Sequence, residues 1–176
     1  MNWMAKAARA AKRLIAEYEI SKPPVDVERL AKREGLRVVE EKLESEISGM
    51  LYLEGGSALI LINQDDAPVR KRFSIAHELG HYKLHSSSSS VFVDRRVRFR
   101  DASSSQGTIK EEIEANNFAA ELLMPEDFVL REVVRLRGRR FPLGDEELIE
   151  ELANIFEVSR QAMEVRLANL GELGTC

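Results

Sequence analysis

One short segment of the sequence contains residues that could hold a metal ion and activate water. Residues 77–81 read His-Glu-Leu-Gly-His. On a helix, His77 and His81 lie on one face about a turn apart, so both imidazoles can reach the same ion. Zinc binds neutral imidazole and often keeps one of its four positions for water, beside which Glu78 would act as general base. The spacing predicts a hydrolytic site with one zinc ion per chain.

The alternative interpretation is that the two histidines share a helix face only because of packing. Two observations favour the metal site. The glutamate occupies the position that the chemistry requires, and the motif is surrounded by apolar Phe73, Ile75, Ala76 and Leu79, which predicts histidines inside a core. Gly80 costs a mid-helix position about 0.5–1 kcal/mol relative to alanine, which fits a helix that another backbone approaches closely.

A third metal ligand is predicted in the segment at 111–125, which reads EEIEANNFAAELLMP. Thr108 and Glu111 have the spacing of a capping box, so we expect a helix that starts at Thr108 and stops before Pro125. Glu112 falls on the side of this helix that carries apolar residues, where a carboxylate needs a charge partner such as a metal ion. It is the predicted third ligand. Three other polar residues form a face that we expect to meet solvent: Glu114, Asn117 and Glu121.

Two further polar residues adjoin the predicted ligands. Asn116 lies one turn after Glu112 and could hydrogen-bond a liganding histidine, although an ordinary surface asparagine fits the pattern equally well. His85 follows His81 by four residues, but a straight helix places it ~12 Å along the axis from His77, too far to share one ion. We expect His85 to lie at the helix end or to support the ligands.

The elements around these residues predict an α+β fold with a small antiparallel sheet. After an amphipathic first helix and Pro23-Pro24, Asp26 and Gly35 have the positions of the N-cap and the C-terminal glycine of a second helix. A hairpin is expected at Gly55-Gly56. Asp145 and Ser159 are expected to be N-caps of two C-terminal helices. The strands are expected at 36–40, 49–53 and 57–63, and the helix with the metal motif at 66–85.

The composition of the chain limits the classes of protein to which it can belong. The 176 residues are 44% hydrophobic and 32% charged with a net charge of −4, which suits a packed domain rather than a surface that coats nucleic acid. The single cysteine, Cys176, allows no internal disulfide and favours a reducing compartment. Because no secretory signal or apolar span of ~20 residues is recognisable, we expect a cytoplasmic protein that does not enter a membrane.

The paired motifs HELGH and EIEANNFAAELLMP resemble the ImmA/IrrE family of bacterial and phage zinc metallopeptidases. The resemblance extends upstream to PVRKRFSIAHELGHYKLH and downstream to LANIFEVSRQAMEVRLANLG, and so covers nearly the whole chain. It implies that His77, His81 and Glu112 bind zinc and that Glu78 is catalytic. Members of the family typically cleave or inactivate a helix-turn-helix repressor of mobile elements, prophages or stress responses, and a separately encoded repressor is therefore the expected partner here.

The expected organisation is a zincin-like metallopeptidase domain at 1–140 and a C-terminal helical region at 141–176 that packs on it or docks to it. The serine-rich segment 86–107 joins the two metal-bearing helices, contains a possible exposed strand, and is expected to fold over substrate. Basic residues at 95–100 and 131–140 are expected to be solvated surface, with a substrate groove as the alternative.

The main rival is a non-proteolytic regulator that binds DNA or a repressor and uses the metal only for structure. Its support is the segment at 152–171, which resembles two helices of a helix-turn-helix. Between Asp145 and Glu172, however, eight acidic residues stand against two arginines. A DNA-reading element normally carries excess positive charge, so direct DNA binding is not expected.

Overall fold

The computed structural model of the chain describes residues 3–87, 90–95, 106–138 and 143–173. These residues form an α+β fold. The helices are α1 (Trp3–Glu17), α2 (Val27–Arg33), α3 (Pro68–His85), α4 (Gln106–Leu123), α5 (Glu126–Arg137), α6 (Asp145–Phe156) and α7 (Arg160–Leu170). The strands are β1 (Leu36–Glu41), β2 (Ile47–Glu54), β3 (Ser57–Asn63) and β4 (Val91–Arg95).

The sheet is mixed, with the strand order β1-β3-β2-β4. The predicted hairpin joins β2 and β3 antiparallel, and its turn residues Gly55 and Gly56 have φ values of 55° and 82°, which a two-residue turn of this hand requires. β4 adds antiparallel to β2 at one edge. β1 instead pairs parallel to β3, because the chain reverses twice between them and β3 inserts between β1 and β2. The antiparallel expectation therefore holds for two of the three pairs.

Two of the expected helix caps are present. The Asp26 carboxylate accepts the backbone N–H of Arg29 at 2.9 Å, and the Ser159 hydroxyl accepts that of Ala162 at 3.1 Å. Gly35 has a φ of 87°, as expected of a residue that follows a helix. These helix ends could be predicted from the sequence because each depends only on residues a few positions apart.

Two other cap predictions are wrong. Helix α6 includes Asp145, and its N-cap is Gly144, whose N–H is accepted by the Glu147 carboxylate at 3.2 Å. Helix α4 begins at Gln106, so the backbone of Thr108 is already helical, whereas an N-cap residue has non-helical dihedral angles.

Helix α4 lies between α1 and α3, and α3 lies between α4 and the sheet. The close approach predicted at Gly80 is present: a Cβ there would stand 3.2 Å from the Ala115 Cα and 3.1 Å from the Phe118 ring. Apolar residues of α6 and α7 join the same hydrophobic core as those of α1 and α3. The division of the chain at residue 140 stays a prediction.

The prediction that one face of α4 meets solvent is wrong, because α1 and α7 cover it. Glu114 and Glu121 are 3% and 4% exposed. Glu121 forms an ion pair with Arg166 of α7 and lies 3.7 Å from the Lys12 ammonium of α1. A helical wheel identifies a polar face, but it cannot show that another helix brings charge to that face.

The segment expected to fold over substrate is described only in part. Its predicted strand is present as β4, and residues 96–105 lie outside the described residues, as do 139–142. None of the described helices combines the length and apolar character needed to cross a lipid bilayer.

Candidate metal centre

Helices α3 and α4 bring the three predicted ligand side chains together. His77 and His81 lie one turn apart on α3, and each is 1% exposed. Their Nε2 atoms are 3.0 Å apart. Glu112 of α4 places Oε1 3.2 Å from the His81 Nε2 and Oε2 3.5 Å from the His77 Nε2. The Glu112 side chain is 28% exposed, less buried than predicted, so the carboxylate lies at the solvent-facing edge of the cluster.

The chemistry of these donors fits a zinc ion. Ligand atoms ~2.0–2.1 Å from a tetrahedral zinc stand ~3.3 Å from one another. The two imidazole nitrogens are 3.0 Å apart, and each has a different Glu112 oxygen at 3.2 or 3.5 Å, so the separations are close to that value. Burial lowers the pKa of His81 despite the opposing hydrogen bond to Glu112. Burial alone would raise the pKa of Glu112, but its hydrogen bonds to His77 and His81 hold it well below the usual carboxyl range. Neutral imidazole and ionised carboxylate are the protonation states that metal binding requires.

Two neighbours fix the orientation of the imidazole rings. The Asn116 Oδ1 lies 3.1 Å from the His77 Nδ1, so an N–H on that nitrogen can donate to the amide and leave Nε2 free for a metal. This is the contact that the sequence suggested for Asn116. The His81 ring stacks on Phe92 of β4, with ring centroids 4.5 Å apart and planes inclined by 24°. The edge strand therefore contacts the candidate centre directly.

Glu78 is a buried carboxylate beside this cluster. It is fully buried, and neither of its oxygens has a hydrogen-bond partner of normal geometry among the described residues. Burial raises the pKa of Glu78 well above its usual value, the charges of Asp94 and Glu112 raise it further, and the Asp94 backbone opposes the shift only in part. Gly49 makes room for the carboxylate, since a Cβ there would stand 3.3 Å from the Glu78 Oε1. A buried acid without a partner indicates a functional group.

Sequence reasoning missed a polar network behind Glu78. Asp94 of β4 is 7% exposed and accepts hydrogen bonds from the Arg70 Nη2 at 2.8 Å and the Ser74 Oγ at 2.9 Å. The Arg70 Nε also donates to the Ser48 Oγ at 3.0 Å. The sequence contained one sign of this network: Arg70, Ser74 and Glu78 are spaced four residues apart and so lie on one face of α3. The role of Asp94 could not be predicted, since it depends on the register of β4.

His85 does not join the three-residue cluster. It lies at the C-terminal end of α3, as expected, and is 6% exposed. Its Nε2 lies 3.5 Å from a carboxylate oxygen of Glu114, and its ring centroid lies 5.6 Å from that of His81. Burial lowers the pKa of His85, and the charge of His81 lowers it further. Within the described residues, the group able to hold a metal consists of His77, His81 and Glu112.

Known proteins resemble this chain in sequence and in fold. It is 32% identical over 154 residues to "Uncharacterized immunity region protein 2" of Bacillus phage phi105, an alignment that covers 85% of this chain and 88% of the phage protein. Its fold is similar to that of a Mycobacterium tuberculosis transcriptional regulator, with a TM-score of 0.62 and 22% identity. That match covers 93% of this chain but 47% of the regulator, so the chain spans about half of that protein.

A family model supplies the classification. The model of the IrrE N-terminal-like domain, peptidase M78, matches residues 31–168. These residues include both helices that carry the candidate ligands, the whole described sheet and most of the C-terminal helices. The chain therefore belongs to the peptidase M78 family of IrrE N-terminal-like domains.

Proposed function

We infer that the protein is a zinc-dependent endopeptidase, with His77, His81 and Glu112 as the zinc ligands and Glu78 as the general base. The observation that carries this proposal is the convergence of three candidate ligand side chains beside a buried carboxylate that has no hydrogen-bond partner of normal geometry in the described part of the chain. Zinc, when bound, supplies Lewis-acid chemistry that polarises a carbonyl group and makes water more acidic.

The residues of the chain supply the remaining functions. Glu78 accepts a proton from the attacking water and delivers it to the leaving amine nitrogen. Its burial favours the neutral form in which it would hold that proton between the two steps. Asn116 holds His77 in the tautomer that leaves Nε2 available. Arg70 and Ser74 fasten β4 to α3 through Asp94 and thereby keep the edge strand beside the centre.

The proposed substrate is a helix-turn-helix repressor encoded separately from this chain, and the proposed location is the cytoplasm. Similarity to a phage immunity region protein supports a role in controlling a repressor. Because β4 is an edge strand of the sheet in the described residues, a substrate segment could pair with it close to His81.

The first test is the zinc content of protein purified without chelator, measured by elemental mass spectrometry. We expect near-equimolar zinc in the wild type and in Glu78→Gln, and loss of zinc in Glu112→Ala. Wild type and Glu78→Gln are then incubated with a purified helix-turn-helix repressor encoded next to this protein. Cleavage by the wild type alone supports the proposal. Equal zinc in Glu112→Ala would refute the ligand set, and equal cleavage by Glu78→Gln would refute the base.

The rival function, a regulator that binds without cleaving, predicts a different result from the same experiment. It requires bound zinc, a stable complex with repressor or DNA, and no fragment with either protein. The acidic balance of the segment from Asp145 to Glu172 favours a protein partner over DNA in that case.

A further inference from the structure

A cleft of about 400 Å³ opens between α3, α4 and the N-terminal half of α7. We call it the α7 cleft. Phe73 of α3 lies on its first side, Asn116 and Ala120 of α4 on its second, and Ala162 and Val165 of α7 on its third. Neither the metal ligands nor Glu78 lines the cleft. Its volume is within the range of pockets that bind ligands or side chains.

The α7 cleft begins at the candidate metal centre. Asn116 lines the cleft and also contacts the His77 Nδ1 at 3.1 Å. The Phe73 ring centroid lies 6.1 Å from that of His77. The cleft is therefore separated from the ligand atoms by the width of one imidazole ring. Because an extended chain advances ~3.3 Å per residue, the side chain next to a peptide bond held at the metal would reach it.

The lining of the cleft selects for apolar groups. Most of the lining is aliphatic or aromatic, and Arg70 is the one charged residue among the described residues that line it. The Arg70 guanidinium is already committed to Asp94 at 2.8 Å and to the Ser48 hydroxyl at 3.0 Å. A charged side chain entering the cleft would lose water without gaining an ionic partner, whereas an apolar side chain would gain by leaving water.

Helix α7 is fixed as one wall of the cleft. The Arg166 Nε donates to the Met124 carbonyl oxygen at 3.0 Å, and its guanidinium forms an ion pair with Glu121, which is buried. These contacts hold α7 against the end of α4. Val165 lies at the rim of the cleft and is 55% exposed.

We propose that the α7 cleft is the specificity pocket of the peptidase, and that it receives a large apolar side chain, such as Leu, Met or Phe, of the residue adjoining the scissile bond. Helix α7 sets the size of that side chain. The C-terminal helices, which carry none of the proposed catalytic groups, thus contribute substrate selection. This inference rests on the proposed function and names the substrate class of the same site.

The experiment uses zinc-loaded full-length protein and a library of peptides made by digesting a bacterial proteome, with cleavage sites read by mass spectrometry. Glu78→Gln provides the background. We expect large apolar residues to be enriched at one fixed position beside the cleaved bond. Ala162→Phe, which fills the cleft, should shift this position to Gly, Ala or Ser and lower cleavage at the original sites at least tenfold. Ala168→Phe is the matched control, because Ala168 is exposed on the same helix, and its cleavage pattern should equal that of the wild type.

The outcomes separate the two proposals. Cleavage without apolar enrichment, or a pattern that Ala162→Phe leaves unchanged, overturns the specificity pocket and leaves the peptidase intact. Absence of cleavage by zinc-loaded wild type on both the library and the repressor refutes the peptidase, and the pocket with it. If Ala162→Phe fails to fold, Val165→Asp at the rim replaces it, with Val134→Asp on the exposed face of α5 as control. If Val165→Asp loses cleavage at apolar sites and Val134→Asp does not, the result supports the pocket. Equal cleavage by the two variants overturns it.

Discussion

At the scale of single residues, the candidate centre is defined by which polar groups have partners and which do not. Asn116 and Glu112 engage the imidazoles, whereas Glu78 is buried without a hydrogen-bond partner among the described residues. Ligand spacing on a helix was enough to predict His77 and His81, because it depends only on helical geometry. The burial of Glu78 against Asp94 was not predictable, because it depends on a strand that lies in a different part of the sequence.

The first prediction concerns the pH dependence of the metal-free protein. The pKa of Glu78 is raised on folding, so its ionised form opposes folding. Its contribution to stability is present below the ordinary carboxyl pKa of about 4.3 and is lost as pH rises toward the folded value. In chelator, Glu78→Gln should therefore melt at least about 2 °C above wild type at pH 8, with the difference vanishing near pH 4. Calorimetry checks this, and equal melting temperatures at pH 8 would contradict it.

A second prediction concerns Asn116. Removing its amide leaves the His77 Nδ1 without the acceptor that fixes its tautomer, so Asn116→Ala should weaken zinc binding about 10- to 100-fold. Competition with a chromogenic chelator measures the affinity. Asn117→Ala is the control, because the Asn117 amide donates to the Ile113 carbonyl of its own helix at 2.7 Å. A loss of the same size in both variants would show that the effect is not specific to the histidine contact.

At the scale of elements, the centre depends on the distance between α3 and α4. Gly80 allows the backbones of these helices to touch, which brings Glu112 of α4 to the histidines of α3. The sequence predicted this approach from a glycine inside a helix that carries chemistry. It did not predict the covering of α4 by α1, because no local pattern shows which distant helix will pack on a given face.

The third prediction is that Gly80→Ala weakens zinc binding although it changes no ligand. The added Cβ would stand 3.2 Å from the Ala115 backbone, so the helices must separate, at a cost of ~1–3 kcal/mol of stability. Zinc affinity and urea unfolding are measured together. Gly144→Ala is the comparison, since no atom of the described residues lies within 4 Å of its added Cβ, and it should leave zinc affinity unchanged. Unaltered zinc affinity in Gly80→Ala would mean that the helix spacing does not limit the site.

The fourth prediction concerns the attachment of β4 to α3. Arg70→Gln removes a charged donor from Asp94, which is nearly buried, and should lower the free energy of unfolding by ~1–3 kcal/mol. Lys71→Gln is the adjacent control. Lys71 pairs with Glu40, whose side chain is 58% exposed, and such pairs contribute less than about 1 kcal/mol. Denaturant unfolding measures the free energy of unfolding of both variants. Equal losses would show that the Arg70 network stabilises the fold no more than the exposed Lys71 pair does.

At the scale of the whole molecule, the sequence predicted most elements and the class of fold, because turns, caps and periodicity are local. It predicted the hairpin but not the parallel pairing of β1 with β3, which depends on the insertion of one strand between two others. The three candidate ligands lie on the helices where the sequence placed them, whereas the α7 cleft was not predicted. Its walls come from residues such as Phe73, Ala120 and Ala162, which are unremarkable in sequence and meet only in the folded chain.

The fifth prediction links metal binding to global stability. Zinc would join α3 to α4 beside the hydrophobic core to which both helices contribute, and a ligand that binds only the folded state stabilises it by RT ln(1 + [L]/Kd). At free zinc 100 times the dissociation constant, this amounts to about 2.7 kcal/mol, or roughly 5–11 °C in melting temperature. Thermal melting with and without zinc measures the shift. Glu112→Ala should show little of it, and an equal rise in that variant would indicate binding elsewhere.

The position of α4 between α1 and α3 also governs events during translation. The ribosome completes α1 long before α4, so the apolar residues Ala7, Ala11 and Leu14 of α1 lack their native partner while most of the chain is still being made. The same delay applies to Glu112, which emerges after both histidines and β4. A nascent chain therefore cannot assemble the three-residue cluster until synthesis has passed α4.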